Sequence, residues 1–321
     1  MSVFVFADTQ AGAFKKAALE ALNYGAQVAE QLQTSTTAVV IGPCEAPLES
    51  LGRYGADQVL HAADEKLKDF DATVYTAVLA EAAREDPAAV VVMAHNFNGR
   101  ALAPMLSIAL QAGLVTGAVS LPDTTDGFVV KKGAFSGKAF AAVRLLTEQK
   151  IIALNPNSFP LTTQEKTAAV SVFSPALPEP RVQVKEIRKL SGDVPLTEAE
   201  IIVSGGRGLK GPENWGMLEE LAAALGAATA CSRPVADSGW RPHHEHVGQT
   251  GITVRPNLYI AIGISGAIQH LAGVNGSKYL VVINKDPEAP FFKAADYGIV
   301  GDAFEVVPKL TAAVRKFKES H

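Results

Sequence analysis

Leu258-Tyr259-Ile260-Ala261-Ile262-Gly263-Ile264-Ser265-Gly266-Ala267-Ile268-Gln269-His270 decides the fold. Residues 258–262 (LYIAI) are all apolar, with no alternation that would leave one face for water. A short run of that kind is a strand covered on both sides, as in a parallel sheet sandwiched between helices. The Gly-Ile-Ser-Gly turn releases the chain at the carboxyl end of this strand, and a helix is predicted around 266–272 with Ser265 as its cap. The N-terminus of such a helix favours an anion or an electron-rich ring edge. His270 lies four residues after Gly266, on the same face one turn further in.

The same alternation extends in both directions. Before it, Ile201–Ser204 reads as a strand, Glu213–Leu225 as a helix and Ala227–Ser232 as a strand. After it comes the strand Tyr279–Ile283, then Ala303–Val307 leading into a terminal helix with Leu310, Val314 and Phe317 at apolar positions. In the first half, Val3–Ala7, Ala38–Gly42 and Ala89–Ala94 are buried strands, residues 11–33 and Ala72–Arg84 are helices, and residues 101–112 form another. Strands follow at Val129-Val130, Ala139–Val143 and Lys150–Leu154 within 115–155. The expected class is α/β, with two domains that each carry a mostly parallel Rossmann-like sheet flanked by helices. Prolines and mixed charge over about 174–194 mark a linker, which places the domains at 1–194 and 195–321, the second of them doubly wound.

Composition narrows the function. The 321 residues are 48% hydrophobic and 19% charged, which fits a packed α/β protein and not a disordered chain. With 29 Lys and Arg against 33 acids, the chain has no electrostatic footprint for nucleic acid or anionic membrane. Cys44 and Cys231 stand far apart, in neither a CxxC nor a Cys/His cluster, so neither a cysteine-held iron–sulfur centre nor a zinc site is expected. No apolar span long enough for a membrane helix is found, and the opening residues lack a leader. The expected location is cytoplasmic, or the mitochondrial matrix if a leader has been removed.

Chemistry gathers in the loops at the carboxyl ends of the C-terminal strands, where open parallel sheets bind ligands. Ser204-Gly205-Gly206-Arg207-Gly208-Leu209-Lys210 offers glycine N–H groups for close approach to an anion and a cation in Arg207. Ser232-Arg233-Pro234 brings a hydroxyl and a guanidinium. In His246-Val247-Gly248-Gln249-Thr250-Gly251, polar side chains sit between permissive glycines. The spacing of His243, His244 and His246 does not match a zinc motif. Asn284 and Asp302 suit a ribose or an adenine edge, while Asp286-Pro287 suits a turn. No nucleophile elbow, Ser–His–Asp order or pair of acid/base carboxylates stands out. The loops are built to hold a cofactor, with little for proton transfer to a substrate.

SGGRGLK (204–210), SRPVADSGW (232–240), VGQTG (247–251), LYIAIGISGAIQHLAG (258–273), INKDPEAP (283–290) and ADYGIVGD (295–302) together closely resemble the C-terminal half of electron-transfer flavoprotein alpha subunits, the FixB-like family. The N-terminal half resembles the family more loosely. Around His95–Arg100 the family's Gly-Arg-Asp turn is only partly kept, because Ala101 stands in place of the acid, and no site is assigned there. The resemblance implies one FAD per chain, held by Arg207, Ser232, Val247, Gly248, Gln249, Thr250, Ser265, Gly266, Ala267, Ile268, Gln269, His270, Asn284 and Asp302. It further implies that Thr250 faces flavin N5, that His270 donates toward the C2 carbonyl and that Arg233 lies over the ring system. A beta subunit carrying AMP or a second FAD would complete a heterodimer, with the N-terminal domain in contact with it. Acyl-CoA or other flavin dehydrogenases would donate electrons and a quinone oxidoreductase would accept them. The competing readings are a nucleotide-binding enzyme using Lys285 or a histidine, and a flavin-free structural subunit.

Overall fold

The computed structural model describes residues 2–10, 12–84, 86–87, 89–135, 137–180, 182, 184–186 and 195–320. The chain divides into two compact units, Met1–Ala134 with Phe140–Lys189, and Leu190–His321 with Phe135–Ala139. Much of the stretch read as a linker, including all of residues 187–194, lies outside the described residues.

The first unit runs β1 (Val3–Phe6), a small ribbon of β2 (Thr9–Gln10) and β3 (Ala13–Phe14), α1 (Lys16–Gln31), β4 (Thr36–Ile41), β5 (Gln58–Ala62), α2 (Ala72–Arg84), β6 (Val90–Ala94), α3 (Phe97–Leu110), β7 (Gly113–Ala118), β8 (Phe128–Ala134), β9 (Ala139–Leu145), β10 (Lys150–Leu154) and β11 (Ala169–Val172). The sheet order is β11-β5-β4-β1-β6-β10-β7-β8-β9. Pairing is parallel from β11 through β7, and β8 joins antiparallel. Successive strand residues serve opposite faces, as a pleated strand requires. Val3, Val5, Val90 and Val92 pack with Leu22, Tyr24 and Val28 of α1. Val39, Val91 and Met93 pack on the other side with Val78 and Leu79 of α2 and Leu102 and Leu106 of α3.

Three local readings change. The first helix begins at Lys16, later than the apolar spacing indicates, because β2 and β3 fold back antiparallel ahead of it. The helix expected at 101–112 starts at Phe97. Asn96 caps it by accepting from the Gly99 N–H at 3.0 Å, a side-chain cap inside a segment that reads as a polar turn. Strands β5 and β11 have no sequence-level expectation. They pair with each other at one edge of the sheet.

The second unit contains β12 (Ile201–Gly205), α4 (Gly216–Leu225), β13 (Ala228–Cys231), α5 (Arg233–Asp237), β14 (Leu258–Ile262), α6 (Ile268–Val274), β15 (Tyr279–Asn284), β16 (Tyr297–Val300) and α7 (Ala303–Glu319). Its order is β13-β12-β14-β15-β16 and every pair is parallel. Val203, Ile260, Ile262 and Ile283 pack with Leu218 and Leu221 of α4 and Val307 of α7. The opposite face buries Ile202, Tyr259, Ala261 and Val282 with Val274 of α6 and Phe291. The ADYGIVGD stretch, read as a turn, contains the edge strand β16. Its residues are exposed, so burial left no periodic signal. Phe317, placed among the apolar positions of the last helix, is 62% exposed.

Candidate functional site

Strands β12 and β14 are neighbours at the point where the order 2-1-3-4-5 reverses direction. Connections leave to opposite sides there, and a crevice opens beyond the carboxyl ends. The structure has a cavity of about 440 Å³ at that place. Five loops line it. Arg207 follows β12, Ser232, Arg233 and Pro234 follow β13, and His246 through Thr250 form the next loop. Gly263 through Ser265, with Ala267, Gln269 and His270, follow β14, and Asn284 ends β15 with Asp286 just after it.

Glycine holds the crevice narrow. A Cβ at Gly206 would sit 2.3 Å from the Gly263 carbonyl oxygen, and one at Gly208 would sit 2.6 Å from Gly263 Cα. The Gly206 N–H donates to Ile262 O at 2.9 Å and the Gly208 N–H to Gly263 O at 3.0 Å. These two amides are therefore committed to joining the loops. The expectation that they face an anion is corrected: the glycines serve backbone approach, and of the loop's two cations Arg207 is the one that lines the cavity.

The turn after β14 also departs from expectation. Helix α6 starts at Ile268 with Ala267 as its cap residue and no side-chain cap, so Ser265 is not the cap. Gly266 (φ +82°) lies against Phe291, where a Cβ would approach the Phe291 backbone and side chain within 2.6 Å. The Phe291 N–H donates to Ser265 O at 3.1 Å. This packing delays the helix by two residues and leaves the Ser265 side chain exposed at the cavity. Two further bonds fix the rim, from Asn284 Nδ2 to Ile264 O at 3.0 Å and from the Gln249 N–H to Gln269 O at 2.7 Å.

Polar groups are left over inside this frame. Ser232 is buried at the start of α5, and its hydroxyl makes no capping bond. Arg233 Nε donates to Asp237 Oδ2 at 3.2 Å, an exposed pair one helical turn apart. His270 is 7% exposed, with Nε2 2.9 Å from the Tyr259 hydroxyl and Nδ1 buried without a hydrogen-bond partner. Burial, reinforced by His246, holds the His270 imidazole down to about 4, against a pull from the Val247 backbone. It is a neutral ring near pH 7. His246 is lowered too, mainly by desolvation.

Of the residues singled out from sequence, Arg207, Ser232, Arg233, Val247, Gly248, Gln249, Thr250, Ser265, Ala267, Gln269, His270 and Asn284 line the one cavity. Gly266, Ile268 and Asp302 are not among the lining residues. Gly266 shapes the turn, Ile268 is 62% exposed on α6, and the Asp302 carboxylate accepts from the Phe304 N–H at 2.9 Å as the cap of α7. Pro234, His246, Gly263, Ile264 and Asp286 line the cavity without having been assigned to it. Pro234, His246 and Ile264 adjoin an assigned residue in sequence, and Gly263 and Asp286 lie two residues from one, so the loop motifs held the signal.

No helix among the described residues is long and apolar enough to cross a membrane. Comparison with known proteins gives the cavity its context. Residues 195–275 match the electron transfer flavoprotein FAD-binding domain, and residues 3–178 match the electron transfer flavoprotein domain. The electron transfer flavoprotein subunit alpha of Bacillus subtilis is 40% identical over 314 residues, covering 96% of each chain. Its counterpart from Syntrophomonas wolfei is 37% identical over 98% of this chain and 99% of its own. Protein FixB of Clostridium saccharobutylicum is 37% identical over 98% and 96%. The matched FAD-binding domain contains four of the five loops around the cavity, and the likeness runs nearly end to end: the chain belongs to the electron transfer flavoprotein alpha subunit family.

Proposed function

We propose that this alpha subunit holds one FAD in the cavity of its second unit and works as an electron carrier, without substrate chemistry of its own. The observation that carries the reading is the convergence of Arg207, Ser232, Arg233 and His270 on a switch-point cavity of about 440 Å³. That volume suits a small-molecule site, for which roughly 300–1,000 Å³ is usual. The donors fit a flavin dinucleotide. The Arg207 guanidinium and an uncommitted hydroxyl match phosphate oxygens, the Arg233 guanidinium suits a place over the ring system, and an orphaned imidazole nitrogen matches a ring carbonyl. When bound, FAD supplies the redox chemistry, and the protein supplies binding, orientation and electrostatics.

In this reading Arg207, Ser232, Arg233, Val247 to Thr250, Ser265 to His270, Asn284 and Asp302 hold the cofactor. Thr250 serves flavin N5 and His270 the C2 carbonyl. A beta subunit, carrying AMP or a second FAD, completes a heterodimer through residues 1–194, and residues 195–321 form the FAD domain. Acyl-CoA or other flavin dehydrogenases supply electrons, a quinone oxidoreductase or other acceptor takes them, and the exchange takes place in the cytoplasm.

The test is a visible absorption spectrum of this chain co-purified with its beta subunit, followed by stepwise reduction. Flavin bands at one FAD per alpha chain that bleach reversibly support the carrier reading. A colourless complex that refuses added FAD sinks it and favours a nucleotide enzyme instead.

A further inference from the structure

Beneath the cavity two buried side chains share a hydrogen bond that leaves one imidazole nitrogen over. Tyr259 is fully buried on β14, and its hydroxyl lies 2.9 Å from His270 Nε2 on α6. His270 lines the cavity, and its Nδ1 has no partner. We propose that Tyr259 is a positioning residue: its hydroxyl donates to His270 Nε2, which fixes the neutral ring with the proton on Nδ1 as a donor to a carbonyl of the bound flavin. The inference rests on the FAD reading above and adds the device that sets the polarity of one donor in that site.

The direction of the bond follows from the chemistry of the two groups. A phenol is a better proton donor than a neutral imidazole N–H, and an imidazole nitrogen is a better acceptor than a phenol oxygen. Which ring nitrogen holds the proton is set by the hydrogen bond at the other. Burial keeps the Tyr259 hydroxyl protonated by pushing its pKa up beyond the ordinary tyrosine range, so a proton is always present to donate. Burial also keeps His270 from taking a second proton near neutrality. The opposite arrangement would leave Nδ1 as a bare acceptor beside a flavin carbonyl, acceptor against acceptor.

The surroundings favour the same state. His246 acts on His270 from the preceding loop and disfavours a charged ring, and only the Val247 backbone favours one. Ser204 on β12 and Cys231 on β13 bear on Tyr259, and the Phe291 ring packs 5.8 Å from the imidazole. None of these groups is a carboxylate. A dry neutral donor stabilises negative charge that develops on reduction, and its own ionisation adds no pH dependence near neutrality.

The test uses the full chain with its beta subunit, labelled with ¹⁵N-histidine and studied both flavin-free and loaded. His270→Gln assigns the resonance. We expect wild-type His270 to be one neutral tautomer with the proton on Nδ1. In Tyr259→Phe, which removes the hydroxyl and keeps the ring, we expect the tautomers to mix. The loaded variant should favour reduced over oxidised flavin about tenfold less, which is about 30 mV lower for a two-electron couple. A merely structural Tyr259 would alter stability without moving the tautomer. A proton found on Nε2 in the wild type overturns the proposal, whether or not the variant folds. A tautomer unchanged in a folded Tyr259→Phe protein overturns it as well. A complex that takes up no FAD overturns the flavin reading, while the flavin-free tautomer still decides for or against the Tyr259–His270 pair.

Discussion

Gly206→Ala puts the closest test on the crevice between β12 and β14. The new Cβ would lie 2.3 Å from Gly263 O, 2.8 Å from Gly263 C and 2.8 Å from Ile264 Cγ1. The first two obstacles are backbone, and that backbone is pinned. Gly263 O accepts from the Gly208 N–H at 3.0 Å, and the Gly263 N–H donates to Ile283 O at 2.9 Å. The loops must part by about 1 Å to restore ordinary contact. Overpacking of this kind costs ~1–3 kcal/mol, and a cross-loop hydrogen bond lost in the process adds about 1 kcal/mol. We expect a total near 2–4 kcal/mol in urea unfolding of the alpha–beta complex. The same displacement moves Arg207 away from the 263–270 loop, so the FAD dissociation constant should rise about tenfold or more, ~1.4 kcal/mol per factor of ten. Flavin fluorescence titration measures it. Gly216→Ala is the control. Its Cβ would meet nothing within 4 Å, at a position in α4, so stability should hold or rise by up to ~1 kcal/mol. Equal stabilities and FAD affinities for Gly206→Ala and wild type would refute the packing argument.

Acid should destabilise the second unit through His270. Its folded value of about 4 lies below the ordinary 6.5, so the unfolded chain binds the proton first. Its contribution is complete above pH 6.5, falls away toward pH 4 and amounts to roughly 3 kcal/mol. His270→Gln should flatten that part of the stability–pH curve in denaturant titrations, and an identical acid limb would count against a buried neutral ring. Asp8→Ala in the first unit should cost about 3–5 kcal/mol, because it strands the Lys15 ammonium and two Asn amides, as chemical unfolding would show. Arg207→Ala should weaken FAD binding roughly 10- to 100-fold, the range for a hydrogen bond to a charged group. Asp237→Ala removes only an exposed ion-pair partner, so stability should change by less than about 1 kcal/mol.

Much of the second unit was legible because its strands are apolar throughout. LYIAI and YLVVI have no polar alternation, and both proved to be central parallel strands. Features that depend on tertiary approach were not legible. Nothing in the local pattern says that Gly266 is pressed against Phe291, so the start of α6 was misplaced by two residues. Edge strands β11 and β16 escaped because both faces are open to solvent, which removes the apolar run that marks a central strand, and β5, one place in from the edge, escaped because Gln58 and His61 interrupt its short apolar run. Sequence placed His270 in the cavity loops but could not show its hydrogen bond to Tyr259, because that contact joins a strand to a helix across the core.

Sheet topology alone does not make a cofactor site, and the first unit shows why. Its order also reverses direction between β1 and β6, and the loops there carry polar residues. After β1, however, comes Asp8, which is 3% exposed. Its carboxylate accepts from Lys15 Nζ at 2.8 Å, Asn96 Nδ2 at 3.0 Å and Asn98 Nδ2 at 2.9 Å. The crevice is thus filled and neutralised by the chain itself. An incoming anion would find the Lys15 ammonium already paired with a buried carboxylate, and breaking that pair would cost several kcal/mol. At the corresponding place in the second unit, β12 ends in Gly205-Gly206 and β14 in Gly263. These residues can neither fill the space nor satisfy the Ser232 hydroxyl or His270 Nδ1. The difference between a sealed crevice and an open one rests on the residues that follow the first strand of each sheet: a salt-bridged aspartate in one, a pair of glycines in the other.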